Sequence, residues 1–468
     1  MRDQLADGQS ALNTASNASV PESVDHQGTL TDRANATRFV DHHGDDVRYV
    51  RGVGWFIWND TRWRKVSIED VEGLAKETAD QIWHEILGTA DTQRRAKLAQ
   101  HATRSASAAG IGGMIRLARS EKGVLISRSD LDRDAWLLNC RNGTLDLRTG
   151  KLLPHDREDL ITMLAPVDYD PDAECPTWEA FLNRIMDRHP ELISFLQRAV
   201  GYALTGDVSE QCFFILHGTG ANGKSTFIET IRAMMGDYAR QADFETLLVR
   251  RYNGPREDIA RLQGARFVSA IEAEEGRYFA ESVIKQLTGG DTISARHLYQ
   301  GTFEFPPTFK VCLAANHKPV IRGTDHAIWR RIHLVPFTVT IPNKEQDKEL
   351  KTKLKGERGG ILAWAMRGCV QWQKRGLQPP QEVVAATAEY REEMDLVGDF
   401  IAERCELSPS AKIAKGLLYE AFTQWCKDQG IEPAESHKWF AARLEEKGIG
   451  GSRKSSARYW VGIKVSDG

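Results

Sequence analysis

A chain of 468 residues is too long for one ordinary hydrophobic core and, at ~150 residues per domain, predicts roughly three folding units. Hydrophobic residues make up 41% and charged residues 27%, near the globular average, and no uninterrupted apolar run approaches the ~20 residues of a membrane-spanning helix, so no membrane partner is expected. With a formal net charge of −3 and a pI of about 6.5, a uniformly basic surface is excluded, and any nucleic-acid contact has to be local.

The opening stretch, MRDQLADGQSALNTASNASV, lacks the basic and then apolar order of a secretory signal. Seven cysteines (Cys140, Cys175, Cys212, Cys312, Cys369, Cys405 and Cys426) are scattered without the CxxC spacing of zinc sites. They predict reduced, mostly buried thiols in a cytosol. Residues 1–38, rich in Asn, Ser, Thr, Ala, Asp and Gln, bury too little apolar surface to offset the entropy of ordering and predict a disordered tail.

Residues 39–210 read as a globular, mainly helical domain. It begins with two short hairpins, in FVDHHGDDVRYV and VGWFIWNDTRW. Residues 67–120 read as mostly helical, and WLLNCRNGTLDLRTGKLLPH as strand, turn and strand, with turns at Asn142-Gly143 and Thr149-Gly150. The helices PTWEAFLNRIMDRH and ELISFLQRAVGYALTG follow. Asp45-Asp46 after His42-His43 admit a metal site, but a structural role is the preferred reading.

Over residues 211–345 short apolar strands alternate with helices, the pattern of an α/β domain on a largely parallel sheet. Residues 346–405 form a helical extension. It runs through ILAWAMRGCVQWQKRG, breaks at Pro379-Pro380, and resumes in EVVAATAEYREEMDLVGDFIAERC. Residues 406–468 give helix (AKIAKGLLYEAFTQWCKDQG), helix (ESHKWFAARLEEKG), loop (GGSRKSSA) and strand (RYWVGIKV), an order that suits a winged helix.

The chemistry concentrates in CFFILHGTGANGKSTFIETI. An apolar strand leads into Gly218, Thr219, Gly220, Ala221, Asn222, Gly223, Lys224, Ser225 and Thr226, with GxxxxGK[ST] spacing, and then into an amphipathic helix. Such glycines let backbone N–H groups turn inward around β- and γ-phosphates, and the following helix presents its positive end. Lys224 supplies a mobile charge and Ser225 a hydroxyl for Mg²⁺, so a P-loop binding a nucleoside triphosphate is predicted. Such a site also needs a carboxylate beyond a neighbouring strand to hold Mg²⁺ through water and polarise the attacking water. The strand Arg266 to Ile271 ends at Glu272, with Glu274 and Glu275 following; Glu272 or Glu274 is preferred, and the spacing does not choose between them. FKVCLAANHKP ends an apolar strand on Asn316, placed to reach a γ-phosphate or the attacking water. DHAIWRRIHLVPF puts Arg330 and Arg331 at the start of another strand, where one of them can serve as a finger toward a neighbour's nucleotide.

Taken in order, GTGANGKST, AIEAEEG, IKQLTGGDTISARHLYQGTFEFPPTFK, LAANHKP and IRGTDHAIWRRIHLVPF resemble the superfamily 3 helicase block of phage and plasmid primase-helicases, and that of the poxvirus primase-helicase. Upstream, HHGDDVRYV, GWFIWNDTRW, RNGTLDLRTG and TWEAFLNRIM resemble, more weakly, the neighbour of that helicase. The resemblance implies an AAA+-like fold, a homo-hexameric ring with ATP and Mg²⁺ sites between subunits, and 3′ to 5′ translocation on single-stranded DNA. The protein so implied is a replicative DNA helicase of a phage, prophage or plasmid. It would work on forked DNA in a bacterial cytoplasm, with a separate primase or other replisome proteins.

In that family a hairpin between the acidic and sensor strands grips DNA. Here TISARHLYQGTFEF carries Arg296 and His297 on its first arm and Tyr299, Gln300 and Gly301 at the turn, where relatives often carry lysine. Arg296, His297, Lys285 and Lys310 are therefore the candidate phosphate contacts. Relatives also place a primase domain ahead of this block, and too little ordered chain remains here to hold one, so primer synthesis is not expected. In the carboxy-terminal module, His437, Lys438 and Arg443 would face a groove and Arg453-Lys454 would touch phosphate, or the module docks another replication protein or stabilises the ring. A bifunctional primase-helicase and a DNA-binding initiator without sustained unwinding are the alternatives. A small-molecule kinase is disfavoured by Arg330-Arg331 and the hairpin.

Overall fold

The computed structural model describes residues 29–249, 256–272, 277–296, 301–321, 323, 326–429, 435–454 and 457–466. The chain divides into two compact units, one running through Asn59 and including Trp63–Leu131, the other comprising Asp60–Arg62 and the chain from Asp132 onward. The stretch 39–210 is thus shared between the two units.

In the first unit, helix α1 (Asp32–His43) precedes strands β1 (Val47–Val50), β2 (Gly54–Trp58) and β3 (Trp63–Lys65). Helices α2 (Ile68–Leu87), α3 (Thr92–Ser105) and α4 (Ala108–Ala118) and strand β4 (Leu125–Ile126) follow. The sheet order is β3-β2-β1-β4. Residue chemistry sets the helix starts: Thr31 accepts from the Ala34 amide, and Ser67 with Asp70 forms a capping box. The structure corrects the expected tail, because its last residues and the opening of the first expected hairpin form α1. Polar residues there are spent inside: Asn35 donates to Ser105 Oγ at 2.8 Å, and Arg38 grips both Glu85 oxygens at 2.7 and 3.0 Å. Phe39 is fully buried against Val47, Trp55 and Met114.

The second unit opens with a three-stranded meander, β5 (Leu137–Cys140), β6 (Gly143–Asp146) and β7 (Lys151–Leu153), and then helices α5 (Pro176–Ile185) and α6 (Pro190–Leu204). Next come β8 (Phe213–His217), α7 (Lys224–Met235), β9 (Ala239–Gln241), α8 (Glu257–Ala260), β10 (Phe267–Ile271) and α9 (Glu281–Thr288). The hairpin β11 (Ile293–Arg296) and β12 (Thr302–Phe305) precedes β13 (Lys310–Ala315), α10 (His326–Trp329) and β14 (Ile332–Pro336).

Strands β14-β8-β13-β10-β9 form one five-stranded sheet in which every pairing is parallel. Its inner strands β8, β13 and β10 are largely apolar on both faces because both are covered. Phe214, Leu216, Cys312 and Ala314 face one core with α6 and α7 residues, while Phe213, Ile215, Val311 and Leu313 face the other.

Helices α11 (Leu350–Gly356), α12 (Arg358–Arg375), α13 (Gln381–Glu393) and α14 (Leu396–Arg404) follow. The chain ends with β15 (Cys405–Ala414), α15 (Lys415–Asp428), α16 (His437–Glu446), β16 (Gly451–Lys454) and β17 (Ala457–Val465). Two expectations change here. The helix read through EVVAATAEYREEMDLVGDFIAERC is interrupted between α13 and α14, where Asp395 caps α14 by accepting from Gly398 N at 3.0 Å. The start of the next expected helix is strand: β15 pairs with β17, with a register shift between Leu407 and Lys412 that spans Pro409. All seven cysteines are free thiols, six of them buried.

Lys310 opens β13 and is 2% exposed, which corrects its assignment as a DNA contact. Its Nζ donates to the carbonyls of Thr205 at 2.5 Å, Asp207 at 3.1 Å and Thr308 at 3.5 Å, and lies over the Tyr202 ring. One residue ahead of the neighbouring strand, Arg266 bonds the carbonyls of Leu204 and Leu137. Together the two cations satisfy the carbonyl end of α6 and the residues after it. Burial pulls the Lys310 pKa down to about 7, with Arg266 adding repulsion. The unfolded chain therefore holds a proton that the folded chain sheds between about pH 7 and the ordinary lysine value, so this site's contribution to stability rises with pH across that window. In urea unfolding, the parent's advantage over Lys310→Met should grow there by at most ~1.4 kcal/mol per pH unit; a difference that is constant with pH counts against a buried, titrating lysine.

Candidate functional site

Because β8, β13 and β10 are adjacent and parallel, their carboxyl ends meet at one edge of the sheet. His217 pairs with Ala315, and Ile271 with Ala314, so the glycine loop after β8, Glu272 after β10 and Asn316 after β13 emerge at one level. A crevice at the carboxyl ends of parallel strands is where α/β sheets bind ligands.

The loop's backbone is determined by what surrounds it. A Cβ on Gly218 would stand 2.2 Å from the Phe337 carbonyl oxygen, and Gly223, at φ +85°, would meet Ile185 at 2.6 Å. Neither position accepts a side chain. Loop and sheet are stitched by Gly218 N to Ala315 O, Phe337 N to His217 O and Ile341 N to Ala221 O. Lys224 opens α7 and is 5% exposed. Its Nζ donates to Gly218 O at 2.5 Å, Asn222 Oδ1 at 3.0 Å and Asn316 Oδ1 at 3.1 Å, while Asn222 donates to Phe337 O at 3.3 Å. Burial lowers the Lys224 pKa and nearby Glu272 opposes the shift. Glu272 Oε2 accepts from the amides of Asn316 and His317, both at 2.7 Å. Ser225 and Thr219 are exposed and Thr226 is half-buried.

Lys224, Glu272 and Asn316 are thus brought together with the loop from Gly218 to Thr226. Glu274 and Glu275 lie outside the described residues, as do His297, Tyr299 and Gln300. Arg330 and Arg331 are not part of this cluster. Ile332 pairs with Phe213 and Pro336 with His217, so the arginines precede the start of β14 while the loop follows the end of β8. The intervening strand of five residues spans ~17 Å at ~3.3 Å per residue. Arg330 is exposed and donates to Gln211 Oε1; Arg331 is 8% exposed and donates to Ala327 O on the preceding helix α10 and to Gln211.

Among the DNA candidates, Arg296 is exposed at the end of β11, opposite Thr302. Lys285 lies 3.9 Å from Glu281 one turn earlier on α9. The hairpin is rooted in the core by Ile293, Ala295 and Phe305. In the carboxy-terminal module, Arg443 pairs with Glu446 and lies over the Trp439 ring, and His437 packs on Tyr419, so neither presents an unengaged face.

Sequence reasoning missed the partners of the Asn316 turn. Lys318 Nζ donates to Glu393 Oε1 at 2.6 Å, and the Tyr390 hydroxyl donates to the Pro319 carbonyl. Lys318 stands two residues after Asn316, a signal that was present. Glu393 and Tyr390, on α13, carried none. His217, ahead of the loop, has its pKa lowered by burial and then by Lys318 and Lys224.

Residues 36–187 match the family described as D5 N terminal like, residues 216–331 a family of unknown function, and residues 392–448 the family described as Poxvirus D5 protein-like. A protein provisionally named helicase L207/L206, of Acanthamoeba polyphaga mimivirus, is 29% identical over 325 residues, covering 64% of this chain and 34% of that one. One provisionally named helicase 022R, of Frog virus 3, is 29% identical over 251 residues, covering 49% and 26%. One provisionally named primase C962R, of African swine fever virus, is 26% identical over 322 residues, covering 63% and 34%. The chain spans about a quarter to a third of the length of these curated relatives. The apo NrS-1 C-terminal region aligns with a TM-score of 0.48 at 10% identity, over 93% of this chain and 100% of that one. The chain is a mixed α/β protein, and its two D5 matches bear out the resemblance read from the motifs: it is similar to the poxvirus D5 type of primase-helicase. Among the described residues, no helix is long and apolar enough to cross a membrane.

Gly218→Ala should destabilise the unit by ~1–3 kcal/mol in urea unfolding, because the clash is with backbone and no rotamer relieves it. Gly301→Ala, where an added Cβ meets nothing within 4 Å, should stay within ~0.5 kcal/mol; equal effects would argue against the close approach of Phe337.

Proposed function

We propose that this chain is the motor part of a replication helicase: an AAA+-like P-loop ATPase that binds ATP and Mg²⁺ and drives travel on single-stranded DNA. The observation that carries the reading is the buried Lys224 ammonium ringed by Gly218 O, Asn222 and Asn316, with Glu272 fixed beside it by two backbone amides. Terminal phosphate oxygens would replace Gly218 O as the partner of Lys224, inside a loop whose amides offer further donors. Ser225 would ligate Mg²⁺, and Glu272 would hold a metal-bound water and polarise the attacking one. Asn316 would hold that water or a γ-phosphate oxygen in line.

Assembly into a hexamer belongs to the same reading. Arg330 and the loop stand at opposite ends of the β14–β8 pair, which supports a finger supplied by a neighbouring subunit rather than by the subunit's own arginine. Of the two arginines, exposed Arg330 is assigned as the finger and Arg331 as its support. The hairpin β11–β12, with Arg296, would grip single-stranded DNA, with 3′ to 5′ as the polarity of travel, and the carboxy-terminal module, in winged-helix order, would dock DNA or a replisome partner. The names of the viral relatives support nucleic-acid replication as the setting.

Lys224→Ala is expected to abolish ATP turnover and displacement of a strand from forked DNA; near-parent turnover would refute the loop assignment. Arg330→Ala should lower turnover by ~10³-fold or more. Mixing Arg330→Ala with Lys224→Ala subunits should restore part of it, because one supplies the loop and the other the finger. Mixed assemblies that remain inactive would remove the trans role.

A further inference from the structure

The hydrolysis reading assigns no task to the last turn of α13, yet that turn is bolted to the segment that presents Asn316. Glu393 takes the Lys318 Nζ at 2.6 Å; Lys318 is 16% exposed and its ammonium lies over the Tyr390 ring, 5.9 Å from its centre. Tyr390 is fully buried, donates to the Pro319 carbonyl and meets Trp329 edge-on. On the other side, the amides of Asn316 and His317 are held by Glu272. Residues 316–319 are therefore clamped from two sides, by the Glu272 carboxylate just after β10 and by α13.

The two clamps differ in the groups they use. Glu272 fixes the turn through backbone amides and Tyr390 through a backbone carbonyl, so both survive side-chain changes within the turn. The Lys318–Glu393 pair joins two charged side chains, is partly shielded by the Tyr390 ring, and stands two residues from the amide whose oxygen meets Lys224. A buried ammonium tolerates little displacement of its acceptors, and misplacing a reacting group by ~1 Å costs ~10²-fold in rate.

We propose that Glu393 is a positioning residue for ATP hydrolysis, acting through Lys318 to hold the Asn316 turn against Lys224. This rests on the P-loop reading. Glu393 touches neither nucleotide nor water in this role, so its loss should slow the chemical step and leave nucleotide binding intact.

The test uses the purified full chain and steady-state ATP hydrolysis, with binding of a fluorescent ADP measured in parallel. Glu393→Gln and Lys318→Met should each lower kcat by ~10- to 100-fold, with KM and ADP affinity within about twofold of the parent. The double variant should be no slower than the slower single one, because both remove the same contact. Exchanging the charges, with Lys318→Glu and Glu393→Lys together, should recover much of the lost turnover. Parent-level kcat in Glu393→Gln would overturn the proposal. So would a fall in ADP affinity matching the fall in kcat, which is the mark of general loosening, or a charge exchange that recovers nothing. The two readings fail separately: if the parent neither binds nor hydrolyses ATP, the P-loop reading falls and takes this one with it, whereas Glu393→Gln at parent turnover beside an inactive Lys224→Ala removes only the role of Glu393.

Discussion

A buried ammonium has to be answered by oxygen, and around Lys224 that requirement organises the carboxyl edge of the sheet. Its three acceptors come from the loop after β8 and the turn after β13. The arrangement works only because those strands are neighbours and parallel, so that loops distant in sequence leave the sheet at one level. Asn222 joins the acceptors to the residue after β14 through the Phe337 carbonyl, and the same carbonyl excludes any side chain at Gly218. One local demand thus explains a glycine, two asparagines and the order of three strands.

Strand β14 carries two features at its two ends. Its start follows Arg331, whose carbonyl accepts from Phe213, and its end leads to Phe337, whose amide reaches His217. On the proposed reading one end serves a neighbour's nucleotide and the other end lines its own. A strand paired along its whole length with β8 cannot shift at one end without strain at the other, so the finger of one subunit and the loop of the same subunit are mechanically joined. In the proposed ring, that rigidity would let one nucleotide site sense the next without a separate signalling element.

The sequence made the core legible where local chemistry and periodicity agreed. Apolar strand, glycine loop and amphipathic helix appear around Gly218 to Thr226 as read, and Glu272 and Asn316 fall at strand ends. Misreadings came where tertiary contacts overrode composition. Residues 32–38 look like tail until the burial of Asn35 and Arg38 against α3 and α2 is seen. AKIA reads as the first turn of a helix, yet β15 runs through it to Ala414, paired with β17. Lys310 looked like a surface cation because its acceptors are backbone carbonyls, which no side-chain pattern reveals. Glu393 was invisible for a related reason: its partner is 75 residues away, and a lone acidic residue near a helix end is ordinarily solvated.

Removing Lys310 from the DNA candidates bears on how any grip on a strand would work. Lys285 has Glu281 beside it, which leaves Arg296 as the exposed cation on the described arms of the hairpin. A subunit that neutralises one or two phosphates gains little affinity alone, and that little is sensitive to salt. Strong holding then requires several copies on one strand, where each further contact is made at high effective concentration. On the proposed reading, the acidic net charge of the chain would leave each copy only a weak, local attraction, and affinity would arise from assembly. A motor benefits from that balance, because any one contact has to release for the strand to advance while the others hold.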